Sequence, residues 1–238
     1  MISLLPGIAA GASTDAPVGA PPSVYAGIAT GLAVLVLLSE FAMLRAALLR
    51  AQVRLYAAQS LLVSVLAVVI AIDRGIAEMY ALAAVSLLLK VIVVPWVIMR
   101  MLRTAGAEIA GSGVLGVASE VLLAVALAVF GFFGTRSLGI VSATLPAAAF
   151  GLSIAVVLVA FVLMIVRRDV VSQAIGFFSL ENGGSLAGLV VAAGMPLILE
   201  VAFLFDLLVA VVVFGVLMRV HHNASESLST TGLTKLRG

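Results

Sequence analysis

Long apolar runs, separated by short clusters of charged residues and glycines, make up most of the chain from Val24 onward. A helix needs about 20 mostly apolar residues to cross the hydrocarbon core of a bilayer. Backbone groups in lipid must hydrogen-bond within their own segment, so each run predicts a transmembrane helix. The seven predicted spans are residues 24–44, 55–72, 79–99, 114–134, 145–166, 170–193 and 196–218.

The composition agrees with a chain that is surrounded by lipid. Hydrophobic residues make up 64% of the 238 residues and charged residues only 10%, whereas a soluble domain carries about a quarter charged residues. The net charge is only +2, and no basic patch is interleaved with aromatic residues, which argues against nucleic-acid binding. The chain has no cysteine, which excludes disulfides, cysteine-ligated iron–sulfur clusters and thioether-attached haem.

The first 23 residues are rich in glycine, alanine, proline and serine and contain no lysine or arginine. A secretory signal peptide begins with a positively charged stretch. We therefore predict that residues 1–23 form a flexible tail and that the first span starts membrane insertion.

The distribution of lysine and arginine predicts the orientation of the seven spans. With the N-terminus outside, ten of these side chains fall in the cytoplasmic loops and tail: Arg45, Arg50, Arg54, Arg100, Arg103, Arg167, Arg168, Arg219, Lys235 and Arg237. Arg74 and Arg136 fall outside, and Lys90 lies within a span. This positive-inside bias predicts a multi-pass protein of the cell membrane with a cytoplasmic C-terminus.

A weak internal repeat divides the spans into three, one and three. Placing Arg45 on Arg167 brings Gln59 onto Glu181 without a gap, and placing Met79 on Met195 brings Lys90 onto Asp206. The predicted organisation is a tail (1–23), a three-helix repeat (24–103), a linker helix with loops (104–144), a second parallel three-helix repeat (145–219) and a cytoplasmic tail (220–238).

Ionisable residues within the apolar runs are the candidates for chemistry, because a charge at mid-depth costs about 2.5–3.5 kcal/mol. Lys90 and Asp206 each lie eleven residues into a span, about 16 Å deep, so they can pair directly or through water. Glu181 lies in the sixth span, next to Asn182 and two glycines. The structural alternatives are a salt bridge that holds two helices together and a protonated glutamate bonded to a neighbouring helix.

Further candidates for a proton path are Glu120, Glu200 and Gln59. Glu40 also lies within a span, five residues before Arg45, and its structural interpretation is a solvated helix end. Adjacent histidines such as His221 and His222 do not share a helix face, and no third ligand is near, so no metal site is predicted. No cofactor is predicted either.

Several short motifs, in order along the chain, resemble the hydrogenase-4 component E family from about Val24 onward. They are YAAQS at 56–60, KVIVVP at 90–95, LENG at 180–183, GMP at 194–196 followed by Glu200 and Asp206, and LTKLRG at 233–238 after Leu228. The last three spans are also similar to the three-span K subunit of respiratory complex I, which carries a glutamate on each of two helices. Asp206 matches the second of these positions, and Glu181 lies about one helical turn from the first.

The resemblance implies a non-redox membrane subunit of a group 4 [NiFe]-hydrogenase or formate hydrogenlyase-type complex. Its implied partners are antiporter-like and complex I-like membrane subunits, the lipid bilayer and a peripheral hydrogenase or dehydrogenase module. Glu181, Lys90 and Asp206 would then contribute to a proton or cation path. Two alternatives stay open: a self-sufficient small transporter, since small carriers share the three-plus-one-plus-three arrangement, and a purely structural assembly subunit.

Overall fold

The computed structural model describes residues 24–75, 77–105, 109–111, 113–138 and 147–191, together with the isolated positions 208, 212 and 215. Within these residues the secondary structure is helical, apart from short connections and one isolated bridge between Leu48 and Ile109. The prediction of an all-helical protein is therefore confirmed for the described part of the chain. The predicted seventh span, 196–218, lies outside the described residues except for its three isolated positions.

Two helices pack as an antiparallel pair at the start of the described chain. Helix α1 is Val24–Arg45 and helix α2 is Leu49–Arg74. Helix α2 ends where Gly75 takes a left-handed conformation with φ of 66° and donates its N–H to the Ala71 carbonyl, a geometry that glycine adopts without steric cost.

The third membrane crossing is a composite helix. Helix α3, Ala77–Ser86, continues into a π-helical segment, Leu87–Val93, and then into helix α4, Val94–Ala105. Pro95 is the second residue of α4, so the change of helix type coincides with a residue that lacks a backbone N–H.

Three further helices follow. Helix α5 is Val117–Gly134 and ends in a short 3₁₀ turn, Thr135–Leu138. Helix α6 is Ala147–Val166, and helix α7 is Val170–Val191. The first turn of α7 is capped by Asp169, whose Oδ1 accepts the Ser172 N–H at 2.7 Å.

Five helices in the described residues are long and apolar enough to cross a membrane: Val24–Arg45, Leu49–Asp73, Met79–Arg103, Val117–Gly134 and Ala148–Val166. Their outer faces expose large apolar side chains such as Leu122 (71% exposed) and Ile165 (72% exposed). Lipid is the solvent that suits such a surface. The chain is a membrane protein, as its apolar runs predict.

The bundle core lies where α1, α2, α6 and α7 meet. Helix α7 packs against α6 and α2, and α1 packs against α2 and α6. Helix α5 covers the outer side of α6, while the composite third crossing lies against α2. Helices α2 and α7 both carry polar side chains that are buried against each other rather than exposed.

The helix boundaries differ from the apolar runs at the end of the third crossing, which continues six residues further to Ala105, and at the start of α2. This helix begins at Leu49, six residues before its predicted start, because Arg50 and Arg54 stay exposed while the intervening Gln52 and Val53 are buried. The helix therefore continues past its apolar stretch into an amphipathic turn.

Candidate functional site

Helices α2 and α7 meet along a row of polar side chains, here called the polar seam. Its members are Gln52, Gln59 and Ser60 of α2 with Ser172, Ser179 and Asn182 of α7, and all six are buried. Residues separated by three, four or seven positions share one helix face, which is why Gln52 and Gln59 of α2 lie on the same side. The spacing of the three α7 members follows the same rule.

Hydrogen bonds between side chains run along the seam. Ser172 Oγ donates to Gln52 Oε1 at 2.7 Å near the start of α7. Further along, Asn182 Nδ2 donates to Gln59 Oε1 at 3.0 Å and to Ser60 Oγ at 2.9 Å. Polar side chains in a membrane bundle hold helices together in this way, so the seam fixes the register of α2 against α7.

Helix α1 adds a carboxylate to the middle of the polar seam. Glu40 is fully buried, and its Oε2 accepts a hydrogen bond from Gln59 Nε2 at 2.8 Å and another from the Ser179 hydroxyl. Its interpretation as a solvated helix end is therefore wrong. The five residues between Glu40 and the exposed Arg45 are enough to place the carboxylate inside the bundle.

A buried ion pair lies beside the seam. Lys90 Nζ is 2.7 Å from Glu181 Oε1 and donates to Ser185 Oγ at 3.2 Å. The Lys90 side chain is 2% exposed and the Glu181 side chain 13% exposed. The structure therefore joins two of the predicted site residues, from the third crossing and from α7, in one contact.

The π-helical segment holds Lys90 at its centre. Within it, the Val94 N–H donates to the Leu89 carbonyl, five residues back. Pro95 has no N–H, so one carbonyl in the preceding turn has no backbone donor. Single π-helical turns inside α-helices are frequent at functional sites, and this one places a polar, under-bonded backbone next to the lysine.

The polar seam and the Lys90–Glu181 pair adjoin on α7. Tyr56 of α2 is also fully buried, one helical turn before Ser60. Glu181 also directly precedes Asn182 in α7. Glu40, the middle of the seam and the Lys90–Glu181 pair therefore form one continuous polar region across α1, α2, α7 and the π segment.

A separate ion network lies at the arginine-rich ends of the helices. Glu120, buried in the first turn of α5, is 3.5 Å from Arg167 Nη2 and 4.0 Å from Arg45 Nη1. Arg167 also donates to the backbone carbonyls of Leu44 and Gly111. Asp169 accepts the Gly111 N–H at 2.9 Å. These contacts fasten the α4–α5 connection to the ends of α1 and α6.

The predicted site residues therefore separate into three groups. Gln59, Lys90 and Glu181 belong to the polar region in the middle of the bundle, whereas Glu120 belongs to the arginine-rich end. Asp206 and Glu200 lie outside the described residues. The contribution of Glu40, Ser179 and Ser185 was missed; the signal that could have revealed the two serines is their helical spacing from Asn182.

Within the described segments, no group of three or more His, Cys, Asp or Glu side chains is arranged to hold a metal ion. The chemistry within reach of the described polar region is proton exchange. It offers a carboxylate–ammonium pair, a second carboxylate, a phenol and several hydroxyls.

Comparisons with known proteins give two kinds of relative. The chain is 33% identical over 175 residues to the uncharacterized protein Rv0085 of Mycobacterium tuberculosis, an alignment that covers 71% of this chain and 77% of that protein. It is 25% identical over 212 residues to hydrogenase-4 component E of Escherichia coli and of Shigella flexneri, covering 89% of this chain and 98% of those proteins. No protein-family model matches the chain, and no solved structure matches it significantly.

Proposed function

Since the chain belongs to the same protein family as Rv0085 of Mycobacterium tuberculosis and is similar over 89% of its length to hydrogenase-4 component E, we propose that it is a non-redox membrane subunit of a complex I-related hydrogenase or dehydrogenase complex. Its role is to contribute buried acidic and lysine side chains to a path for protons. Redox centres belong to partner subunits in this proposal, and the N-terminus lies outside the cell membrane.

The observation that carries the proposal is the buried contact between Lys90 and Glu181, 2.7 Å apart in the middle of an apolar bundle. Removing either charge from water is costly, and their mutual attraction only partly repays that cost. Two apolar residues at these positions would stabilise the helix packing equally well. The Lys90–Glu181 pair can in addition change its protonation state.

Proton exchange at this pair follows from its chemistry. A proton on Lys90 Nζ can pass to Glu181 Oε1, leaving a neutral amine and a neutral acid, without any charge crossing the bilayer. When a charge nearby changes, in this subunit or in a neighbour, the balance between the charged and neutral forms shifts. The pair therefore responds to its neighbours by taking up or releasing a proton.

The remaining predicted residues extend the path in this proposal. Gln59 bonds to Asn182, the neighbour of Glu181, and can orient water. Asp206 matches an acid of the K subunit of respiratory complex I, and we place it next along the path, with Glu200 towards the outer surface. Glu120 is the candidate at the arginine-rich end.

The first experiment tests the path directly. Inverted membrane vesicles that contain the assembled complex are compared for proton uptake per electron transferred, with wild type, Glu181→Gln and Asp206→Asn. Proton uptake is compared at equal amounts of assembled complex, and we expect each variant to lose at least half of it. Asp73→Asn, at the exposed end of α2, is the control that keeps it. Unchanged uptake at unchanged assembly in Glu181→Gln removes the pair from the path.

The second experiment tests the complex itself. The chain is tagged at its C-terminus, solubilised from native membranes with mild detergent and purified. The proposal requires large antiporter-like membrane subunits and a nickel-binding or dehydrogenase subunit in the same particle. A stand-alone transporter would purify alone or as a small homo-oligomer. A purely structural subunit would purify with partners, but simultaneous neutralisation of Glu181 and Asp206 would lower assembly rather than coupling.

A further inference from the structure

A second acid, distinct from the Lys90–Glu181 pair, is buried in the first helix of the bundle. Glu40 has no exposed surface, and its two carboxylate oxygens have different surroundings. Oε2 accepts hydrogen bonds from Gln59 Nε2 at 2.8 Å and from the Ser179 hydroxyl. Oε1 is buried and has no hydrogen-bond partner among the described residues.

The ionisable side chains on the helices around Glu40 lie away from its carboxylate. On the same helix as Glu40, Arg45 contacts Glu120. On α2, Arg50 and Arg54 are exposed. On α7 the ionisable side chain is Glu181, which is paired with Lys90.

Tyr56 of α2 is uncharged, and Asp73 and Arg74 lie at the far end of that helix. Helix α6 has no ionisable residue between Ala147 and Val166. Across the described helices, therefore, no cation is within ion-pairing distance of the Glu40 carboxylate.

A carboxylate that is removed from water and has no cationic partner is unfavourable, and in practice such a group is neutralised. We propose that Glu40 is a proton-binding site of the bundle, with the proton on Oε1 in the arrangement described here. Oε2 is then the carbonyl oxygen of a neutral carboxylic acid. It accepts from Gln59 Nε2, and the Ser179 hydroxyl shares its one proton between this oxygen and Gln59 Oε1. The unpartnered Oε1–H is the end from which the proton leaves.

The donors around Glu40 favour a proton over a metal cation. A hard metal cation requires several oxygen ligands around it. Here an amide N–H and a hydroxyl already point at Oε2, and their partly positive hydrogens would repel a second cation at that oxygen. A proton needs only one oxygen, and Oε1 provides it.

The position of Glu40 in the polar seam gives its proton a way out. When the O–H bond of Glu40 breaks, the proton passes to a water molecule beside Oε1, and the carboxylate that remains keeps the donors from Gln59 and Ser179. Asn182 continues the hydrogen-bonded seam from Gln59 to Ser60, and it directly follows Glu181 of the Lys90–Glu181 pair in α7. This role in transport rests on the proposed function; the protonation of Glu40 does not.

The test is infrared spectroscopy of the purified full-length chain in lipid nanodiscs at neutral pH. A buried protonated carboxyl group gives a carbonyl-stretch band that shifts in heavy water. We expect Glu40→Gln to lose one such band. Glu120→Gln, which removes an acid from the arginine-rich end, is the matched control and should keep it.

A further variant covers the case in which Glu40→Gln fails to fold. Ser179→Ala leaves the carboxyl group in place but removes one donor to its carbonyl oxygen, so the same band should move to higher frequency. A band that is present and unaffected by either substitution, or a spectrum in which no band depends on Glu40, overturns the proposal.

The outcome is separable from that of the proposed function. If the Glu40 band is found while Glu181→Gln leaves proton uptake unchanged, the proton site stands and the transport path fails. If proton uptake depends on Glu181 and the Glu40 band is absent, the path stands without this site.

Discussion

At the scale of single residues, the chain buries charge by giving it a partner from another helix. Lys90 is paired with Glu181, and Glu120 with Arg167. A single charge at the bilayer centre costs about 2.5–3.5 kcal/mol on insertion scales, so each partner lowers the cost of the other. The pairs thereby also determine which helices lie next to each other.

Removing one member of the Lys90–Glu181 pair should destabilise the bundle more than removing both. Lys90→Met leaves an uncompensated buried carboxylate, and loss of one partner of a buried pair costs about 3–5 kcal/mol. The double variant Lys90→Met with Glu181→Met should recover most of this loss. Thermal unfolding in detergent, followed by size-exclusion fluorescence, measures the effect.

Ser185→Ala serves as the control for this comparison, because it removes a hydrogen bond to Lys90 without leaving a charge unpaired. Its expected cost is about 0.6 kcal/mol, the average for polar contacts between membrane helices. If the loss of stability in the double variant equals the summed losses in Lys90→Met and Glu181→Met, the two side chains do not stabilise each other.

The residues of the polar region were predictable to different degrees. Lys90 and Glu181 stand out because they are ionisable and lie inside apolar runs. Their pairing with each other was not predictable, since Asp206 lies at the same predicted depth as Lys90 and was an equally good candidate partner. The burial of Glu40 was missed because its depth depends on α2, whose Gln59 reaches across to it, and not on its distance from Arg45 along the chain.

At the scale of helices, the apolar runs predicted the five described segments that are long and apolar enough to cross a membrane, but not how the helices meet. Contacts between helices depend on which face each one presents, and in lipid apolar side chains do not decide this. The polar seam decides it for α2 and α7. The seven-residue spacing from Gln52 to Gln59, together with the three- and seven-residue spacing along α7, was a readable signal of two matching polar faces.

Close packing of α7 against α6 should make two neighbouring glycines respond differently to substitution. A methyl group on Gly183 would lie 2.8 Å from Val157 Cγ2 and 3.1 Å from the Val157 backbone nitrogen, whereas Gly184 has nothing within 4 Å. Overpacking costs about 1–3 kcal/mol, so Gly183→Ala should lower the unfolding temperature in detergent.

Gly184→Ala is the matched control, because it has the same helix propensity gain and open space around it. It should leave the unfolding temperature unchanged or raise it slightly. Equal destabilisation by the two substitutions would mean that α6 and α7 do not pack as described.

At the scale of the whole molecule, most arginines of the described bundle lie at one end, whereas Arg74 and Arg136 lie at the other. Contacts of Arg45 and Arg167 with Glu120 bring together the end of α1, the start of α5 and the end of α6. The structure itself brings these helix ends together. That this end faces the cytoplasm is a prediction from the positive-inside rule.

The absence of cysteine from the chain allows a clean test of orientation. Single cysteines are introduced at Ala47, next to the arginine-rich end, and at Ala77, at the opposite end; both side chains are exposed. A membrane-impermeant maleimide added to intact cells should label Ala77→Cys, and should label Ala47→Cys only after permeabilisation. The reverse pattern would place the N-terminus inside and invert the proposed topology.

The π-helical segment affects how the third crossing aligns with the sequences of its relatives. From Ser86 the buried positions recur at Lys90, Val94, Ile98 and Leu102, every fourth residue, whereas an ordinary α-helix turns once in 3.6 residues. The wider turn absorbs one surplus residue and keeps these side chains on a common stripe. A relative that winds this stretch as plain α-helix would be one residue shorter, so its alignment gap should fall between Leu87 and Val93.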